Sequence, residues 1–349
     1  MRSPGIVLVF VSAVVACGDP QPATDAGTGD AAVDDAPVDA PYLPATLADT
    51  GLCANADCSE LAPGVQAYRP QHELYTDGAT KRRWIYLPPG TTIDTSDMNH
   101  WTFPVGTKLW KEFTRDGVRI ETRFITKRLP DDDAPGAWFF ASYQWDLDAT
   151  QATLADPTSG VENANGTAHD IPRRAHCREC HEGVPGRVLG FEPMSLDYDA
   201  PEGSLDLADL ANGNLLSAPP SAPAGDGPYF PVPGTDVERA AFGYLHANCS
   251  TCHNPTAGNF GHTPLDLRLD VTKLRAVAEV PAHATTVGVA GSVGGPAYAG
   301  PIVDPGNPDG SVLILRMNAP DEPAKMPKLG TEIVDPVGQS VLRTWIESL

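Results

Sequence analysis

Between about residue 66 and residue 150, apolar and polar positions alternate in short runs. The segments Lys81-Arg82-Arg83-Trp84-Ile85-Tyr86-Leu87, Thr107-Lys108-Leu109-Trp110-Lys111-Glu112-Phe113 and Val118 to Arg128 are rich in β-branched and aromatic residues. Such runs fit a pleated, half-buried surface and predict strands. Pro88-Pro89-Gly90 and Arg115-Asp116-Gly117 supply turns, and the second reads as a hairpin between two strands. Trp138 to Trp145 predicts a further strand. About five antiparallel strands would form a compact sandwich or barrel-like sheet. Trp84, Trp101, Trp110, Trp138 and Trp145 read as its core; exposed together, they would instead form a partner-binding face.

After Asp170 the texture changes to loops and short helices. Leu205 to Leu216 predicts a short helix. Thr235-Asp236-Val237-Glu238 is a capping box that should start a helix running into Cys249. Asp335-Pro336 is an N-cap followed by proline at the first helical position. Val337, Val341, Trp345 and Leu349 then recur every four residues as an apolar stripe. The expected fold class is α+β and multidomain: an antiparallel β domain over 49–168, a first cysteine-motif region over 169–234 and a mainly α, loop-rich region over 235–349.

The first residues read as an export signal. Arg2 precedes an apolar run, Ile6 to Ala16, that is too short to span a bilayer. The run ends Val14-Val15-Ala16-Cys17, which resembles a lipobox, so residues 1–17 are expected to be a lipoprotein signal peptide with Cys17 lipidated. An ordinary secretory signal cleaved near Ala16 is the rival. Residues 18–48 are expected to be a disordered acidic tether. Seven aspartates lie between Asp19 and Asp49 with no Lys or Arg among them, and such a stretch cannot bury enough apolar surface to offset its ordering entropy. The implied location is the periplasm, with the chain lipid-anchored to the outer membrane.

The 349-residue chain has a formal net charge of −21. That argues against nucleic acid as a partner, because phosphate binding needs a basic face. It is compatible with weak docking to basic redox proteins or simply with an acidic soluble surface. Its 35 prolines and 33 glycines favour short elements and structured loops.

The seven cysteines are Cys17, Cys53, Cys58, Cys177, Cys180, Cys249 and Cys252. Four of them fall in Cys177-Arg178-Glu179-Cys180-His181 and Cys249-Ser250-Thr251-Cys252-His253, two copies of the pattern that attaches c-type haem. Two residues between the cysteines place both sulfurs under one porphyrin edge, and the adjacent histidine faces the iron. The 69 residues from Cys180 to Cys249 are too many for a small zinc module. Two haem c groups are therefore expected, with His181 and His253 as iron ligands. Cys53 and Cys58 remain, and a local disulfide is the default in an oxidising compartment.

Met326, in Pro323-Ala324-Lys325-Met326-Pro327, is the candidate distal ligand of the second haem, with Met317 as the fallback and otherwise a core residue. A thioether ligand raises the potential relative to a second histidine. For the first haem Met194, 13 residues after His181, is the candidate, or else an ordinary core methionine. His72, His100, His169, His176 and His246 are the other nearby imidazoles.

With these residues in place the chain resembles a group of bacterial dihaem c-type cytochromes with an N-terminal β domain. The matching stretches are Tyr75 to Trp84, Phe103-Pro104-Val105-Gly106-Thr107, Glu121-Thr122-Arg123, Tyr143-Gln144-Trp145, Asp170-Ile171-Pro172 and Tyr244 to Asn248. The terminal part is similar to a class I cytochrome c domain, in which the helix before the haem motif crosses the last helix. That resemblance implies contact of Ala241 and Leu245 with Trp345, and a loop at Pro305-Gly306-Asn307-Pro308 over the haem edge. It also implies electron transfer outside the cytoplasm, with redox proteins as partners and no defined substrate.

The expected role is thus an electron carrier rather than an enzyme. The alternative is a dihaem peroxidase or oxidase acting at an open first haem. It would need an acid–base residue there, and Glu182 and Asp131-Asp132-Asp133 are the nearest carboxylates in sequence.

Overall fold

The computed structural model describes residues 43–349, apart from 224, 226, 259–262, 292–295 and 321–323. The lipobox with Cys17, and the tether up to residue 42, lie outside the described residues. Residues 44–349 form one compact unit.

Seven strands make one sheet: β1 Val65–Tyr68, β2 Thr80–Tyr86, β3 Lys108–Arg115, β4 Val118–Lys127, β5 Trp138–Trp145, β6 Ala152–Leu154 and β7 Ser204–Leu205. Their order is β6-β5-β4-β3-β2-β1-β7. The four long predicted strands are all present, close to their expected bounds. The expectation of a sandwich or barrel is corrected: the sheet is single, open and mixed. Its parallel member is β7, which pairs with β1. That two-residue strand follows the first cysteine motif in sequence and carries no periodic pattern to read.

The alternation explains the sheet's two faces. On one, Trp84, Trp110, Phe124, Phe139, Tyr143 and Trp145 pack with Leu47, Leu52 and Cys53. Cys53 and Cys58 are disulfide-bonded there. On the other, Tyr68, Ile85, Leu109, Ile125, Trp138 and Phe140 pack with Trp101, Phe103 and Phe191. All five strand-region tryptophans are buried, so they are core and not a docking face.

The α-helices among the described residues are α1 Arg174–His181, α2 Pro193–Leu196, α3 Leu207–Asn212, α4 Asp236–Cys249, α5 Pro281–Ala284, α6 Val312–Met317 and α7 Pro336–Ser348. The helix expected over 205–216 is shorter, because Asp206 caps it with Asp209 as reciprocal partner and Leu205 belongs to β7. The Thr235–Glu238 capping box starts α4 as expected. Asp335 accepts the Val337 and Gly338 N–H groups at the start of α7.

The apolar stripe of α7 differs from the expected one. Gly338, Leu342, Trp345 and Ile346 are buried, while Val337 is 71% exposed. Steps of four residues rotate about 40° further per step around a helix, so a four-residue series leaves the core face. The i, i+4, i+7, i+8 set stays on it. Here α7 packs on α4: Ala241, Phe242 and Leu245 share a core with Leu342, Trp345 and Ile346, and the Phe242 and Trp345 rings meet edge to face at 5.7 Å. The Gly306 N–H donates to the Ile346 carbonyl, which seats the Pro305–Pro308 loop on α7.

Candidate functional site: two apposed cysteine motifs

The first motif ends α1. Cys177, Cys180 and His181 lie on it, and Cys177 joins the core on the sheet's inner face. The His181 ring lies 5.1 Å from that of Phe140 on β5. His181 Nδ1 lies 2.6 Å from the Arg187 carbonyl oxygen, a contact that requires the proton on Nδ1 and leaves the Nε2 lone pair free. Burial pushes the imidazole down to about 4, against the opposing effect of the Arg187 contact, so the ring is neutral at pH 7. Arg187 is itself held by Asp133 and by the Glu182 carbonyl. Asp133 is therefore committed to supporting the His181 loop, and Asp132 accepts from Trp138 Nε1 at 2.7 Å.

The second motif begins at the last residue of α4. Cys252 and His253 both donate their N–H groups to the Cys249 carbonyl, which carries the turn onward. His253 Nδ1 is buried and has no hydrogen-bond partner among the described residues. Burial, with the charges of Arg316 and Lys328, holds the imidazole below its usual range.

The two motifs meet. The loop after His181 packs on the turn that carries Cys252, and the Cys180 and Cys252 thiols influence each other's ionisation. That influence holds the Cys252 thiol below its usual range and pushes that of Cys180 above it. The fully buried Asn254 fastens the junction: its Nδ2 lies 3.1 Å from the Gly183 carbonyl and 2.7 Å from that of Ser250. Thr256 Oγ1 is 3.1 Å from the same Gly183 oxygen. Gly183 fits because a Cβ there would lie 2.5 Å from the Thr251 carbonyl oxygen.

The Met326 loop stands beside the second motif. The Met326 N–H donates to the Arg316 carbonyl, and Arg316 and Lys328 are the residues whose charges reach His253. Tyr75, Tyr244, Asn248 and Ile333 line a small cleft with Met326. Met317 is buried in the α4–α7 core, and so is Met194. Met194 therefore sits in the cluster that Cys249 joins, not the one that Cys177 joins.

The segment after β1 ties these parts together, which gives the Tyr75 to Trp84 stretch a structural role. Asn248 Oδ1 accepts the Tyr75 N–H at 2.7 Å, and its Nδ2 donates to the Tyr244 carbonyl. Asp77 accepts the N–H groups of Glu332 and Ile333. Asp77, Gly183 and Asn254 carried no signal in the sequence, since each acts on backbone groups remote along the chain.

Most other imidazoles are committed. His246 accepts the Leu269 N–H on Nδ1 and donates Nε2–H to Glu192. His169 bonds Glu121, His176 bonds Arg173, and His100 bonds Asp97 and Arg268. His72 lies against α4 where Gly243 leaves room.

The donor set fits haem better than a bare ion. Among the described residues no three His, Cys, Asp or Glu side chains converge as a metal ion would require. A haem brings its own four nitrogens and needs only one or two axial ligands from the protein. His181 and His253, each beside a pair of unbridged cysteines, are the residues that would hold it.

No family model, curated protein or solved structure matches the chain.

Proposed function

We propose that the chain is an extracytoplasmic c-type cytochrome that holds two haems and passes electrons between them. Cys177 and Cys180 would hold one haem by thioethers, with His181 on its iron. Cys249 and Cys252 would hold the other, with His253 and Met326 as the axial pair in a class I cytochrome c-like region built on α4 and α7. Each bound haem supplies a one-electron iron couple. The chain's own residues fix and insulate those couples. Arg187 orients His181, Phe140 covers its ring, and the Asp77 clasp fixes the backbone between the Met326 loop and α7.

The observation that carries this reading is the apposition of the two cysteine motifs at Gly183, Thr251 and Asn254. Thioether sulfurs mark the porphyrin edges, so two haems attached at these motifs would have their edges close together, where electron tunnelling is fast. Cys17 would supply a lipid anchor in the outer membrane, and the acidic surface would dock redox proteins transiently. Expression with the haem-attachment machinery, followed by pyridine haemochrome analysis, tests the reading. Two haems per chain are expected; one or none overturns it.

The burial of Met194 in the other cluster favours a second reading, in which the first haem keeps an open position and reacts with peroxide. Spectra with and without cyanide separate the two. A cyanide-induced shift at one haem supports the enzyme, and two inert low-spin haems support the carrier.

A further inference from the structure

Strand register places a row of cations on the sheet's inner face. Arg83 on β2 lies directly opposite Lys111 on β3, and Lys111 lies directly opposite Arg123 on β4. Like charges in register destabilise a sheet. Two of the three are offset by carboxylates: Arg83 by Glu73 at 3.1 Å and Arg123 by Glu121 at 2.9 Å. Lys111 is not. Among the described residues no carboxylate pairs with it, and its ammonium lies 5.2 Å from the Phe113 ring centroid. Lys81, on the same face of β2, donates to the Ala79 carbonyl.

The row borders the first cysteine motif. Ile85, Leu109, Ile125 and Phe140 form the next row on the same face, roughly 7 Å along the strands, and Phe140 is the residue against which His181 packs. The groups whose charges reach Lys111 are Arg83, Arg123, Lys81, Cys180 and His181. Burial and those three cations push its ammonium well below the ordinary range. Asp335 acts on Lys81 from the start of α7, and His169 shares Glu121 with Arg123.

The row thus holds two paired cations and, between them, a Lys111 with no carboxylate partner among the described residues, beside the place where a porphyrin would attach: one anion position is left unfilled. We infer that Lys111, flanked by Arg83 and Arg123, binds the propionate carboxylates of a haem held at the first motif. Charge-assisted hydrogen bonds from Lys and Arg to carboxylate are short and strong in such surroundings. This inference rests on the two-haem reading above. It adds that the β sheet helps set one haem's potential.

The test uses the intact holoprotein as wild type, Lys111→Gln and Lys111→Arg. Haem content is measured first, then each haem's potential from pH 5 to pH 9. In Lys111→Gln both haems stay attached, and one potential falls because a cation no longer disfavours the oxidised, more positive iron. The freed propionate now titrates at higher pH, so that potential also drops with rising pH where the wild type is flat. Lys111→Arg retains the wild-type profile. If Lys111→Gln does not fold, the inference stands only if Arg83→Gln gives the same new pH dependence. Unchanged pH profiles in a two-haem Lys111→Gln protein overturn it. So does a saturable potential shift of the wild type with added inorganic phosphate, since the row would then be open to free anions. A wild type with fewer than two haems overturns the two-haem reading instead.

Discussion

Asp77 and Ile333 meet across 256 residues of sequence, with Asp77 Oδ1 accepting the Ile333 N–H at 2.8 Å. The same oxygen accepts the Glu332 N–H at 2.9 Å. One carboxylate thus fixes the backbone that leads from the Met326 loop into α7. Asp77→Ala is expected to cost about 1 kcal/mol, the usual worth of such bonds at a partly exposed site. Its sharper signature is local. If Met326 ligates the second haem as proposed, its iron–sulfur charge-transfer band should weaken, while a haem at the first motif keeps its potential. Denaturant titration and the visible spectrum check both.

The two methionines near the second motif separate ligation from packing. Met326→Ala should abolish the charge-transfer band and lower one potential, with little loss of stability because Met326 is only half-buried. Met317 is 8% exposed in the α4–α7 core, so Met317→Ala should cost roughly 2–5 kcal/mol and leave the band in place. An unchanged spectrum in Met326→Ala would rule that residue out as a ligand.

Much of this arrangement was legible before the structure, and what was not has a common cause. The strands, the Thr235–Glu238 and Asp335 caps and the Cys53–Cys58 bridge are local patterns, complete within a few residues, and each is present. The seventh strand, the Asp77 clasp and the Asn254 bolt are contacts between distant segments, for which a single sequence holds no periodic signal. Arg83, Lys111 and Arg123 stand on three separate strands, and only the register puts them side by side. The α7 stripe failed for a different reason. Val337 and Val341 are apolar, yet Gly338 faces the core because the Tyr244 ring fills the space a Cβ would need.

Glu121 gives the fold a defined acid limit. Burial alone would raise its pKa, but the Arg123 charge and the hydrogen bonds from His169 and Arg123 override this and hold it at about 2, against 4.5 unfolded. A depressed carboxylate contributes stability that is full above the unfolded pKa and lost as pH falls through the folded one. The wild type should therefore lose stability progressively from about pH 4.5 towards pH 2. Glu121→Gln should cost roughly 3 kcal/mol at pH 7, since it strands a partly buried Arg123. The gap between the two proteins should close on acidification. Thermal unfolding of both across this range is the check, and a gap that persists at pH 2 contradicts the assignment.

The disulfide should matter less. Cys53 and Cys58 are only five apart in sequence, and a loop that short limits the entropy removed from the unfolded chain, to about 2 kcal/mol. The double variant Cys53→Ser, Cys58→Ser should fold, bind the same haem complement as the wild type and unfold at lower denaturant. Failure to attach haem would mean that the bridge acts on the site and not only on the outer core.

Gly183 offers the most direct test of the apposed motifs. A methyl group there would lie 2.5 Å from the Thr251 carbonyl oxygen and 3.4 Å from that of Cys180, and backbone atoms cannot yield cheaply. Gly183→Ala should therefore push the loop after His181 away from the turn that carries Cys252, stretching the bonds of Asn254 and Thr256 to the Gly183 carbonyl. Each motif remains chemically intact, so two haems should still attach and each potential should stay near its wild-type value. What should change is the step between them, because tunnelling falls steeply with edge-to-edge distance. Flash reduction of one haem followed by the spectrum of the other reads that rate. A slower transfer at unchanged driving force is the expected result. An unchanged rate in a folded, two-haem Gly183→Ala protein would mean that electrons do not cross where the two motifs meet.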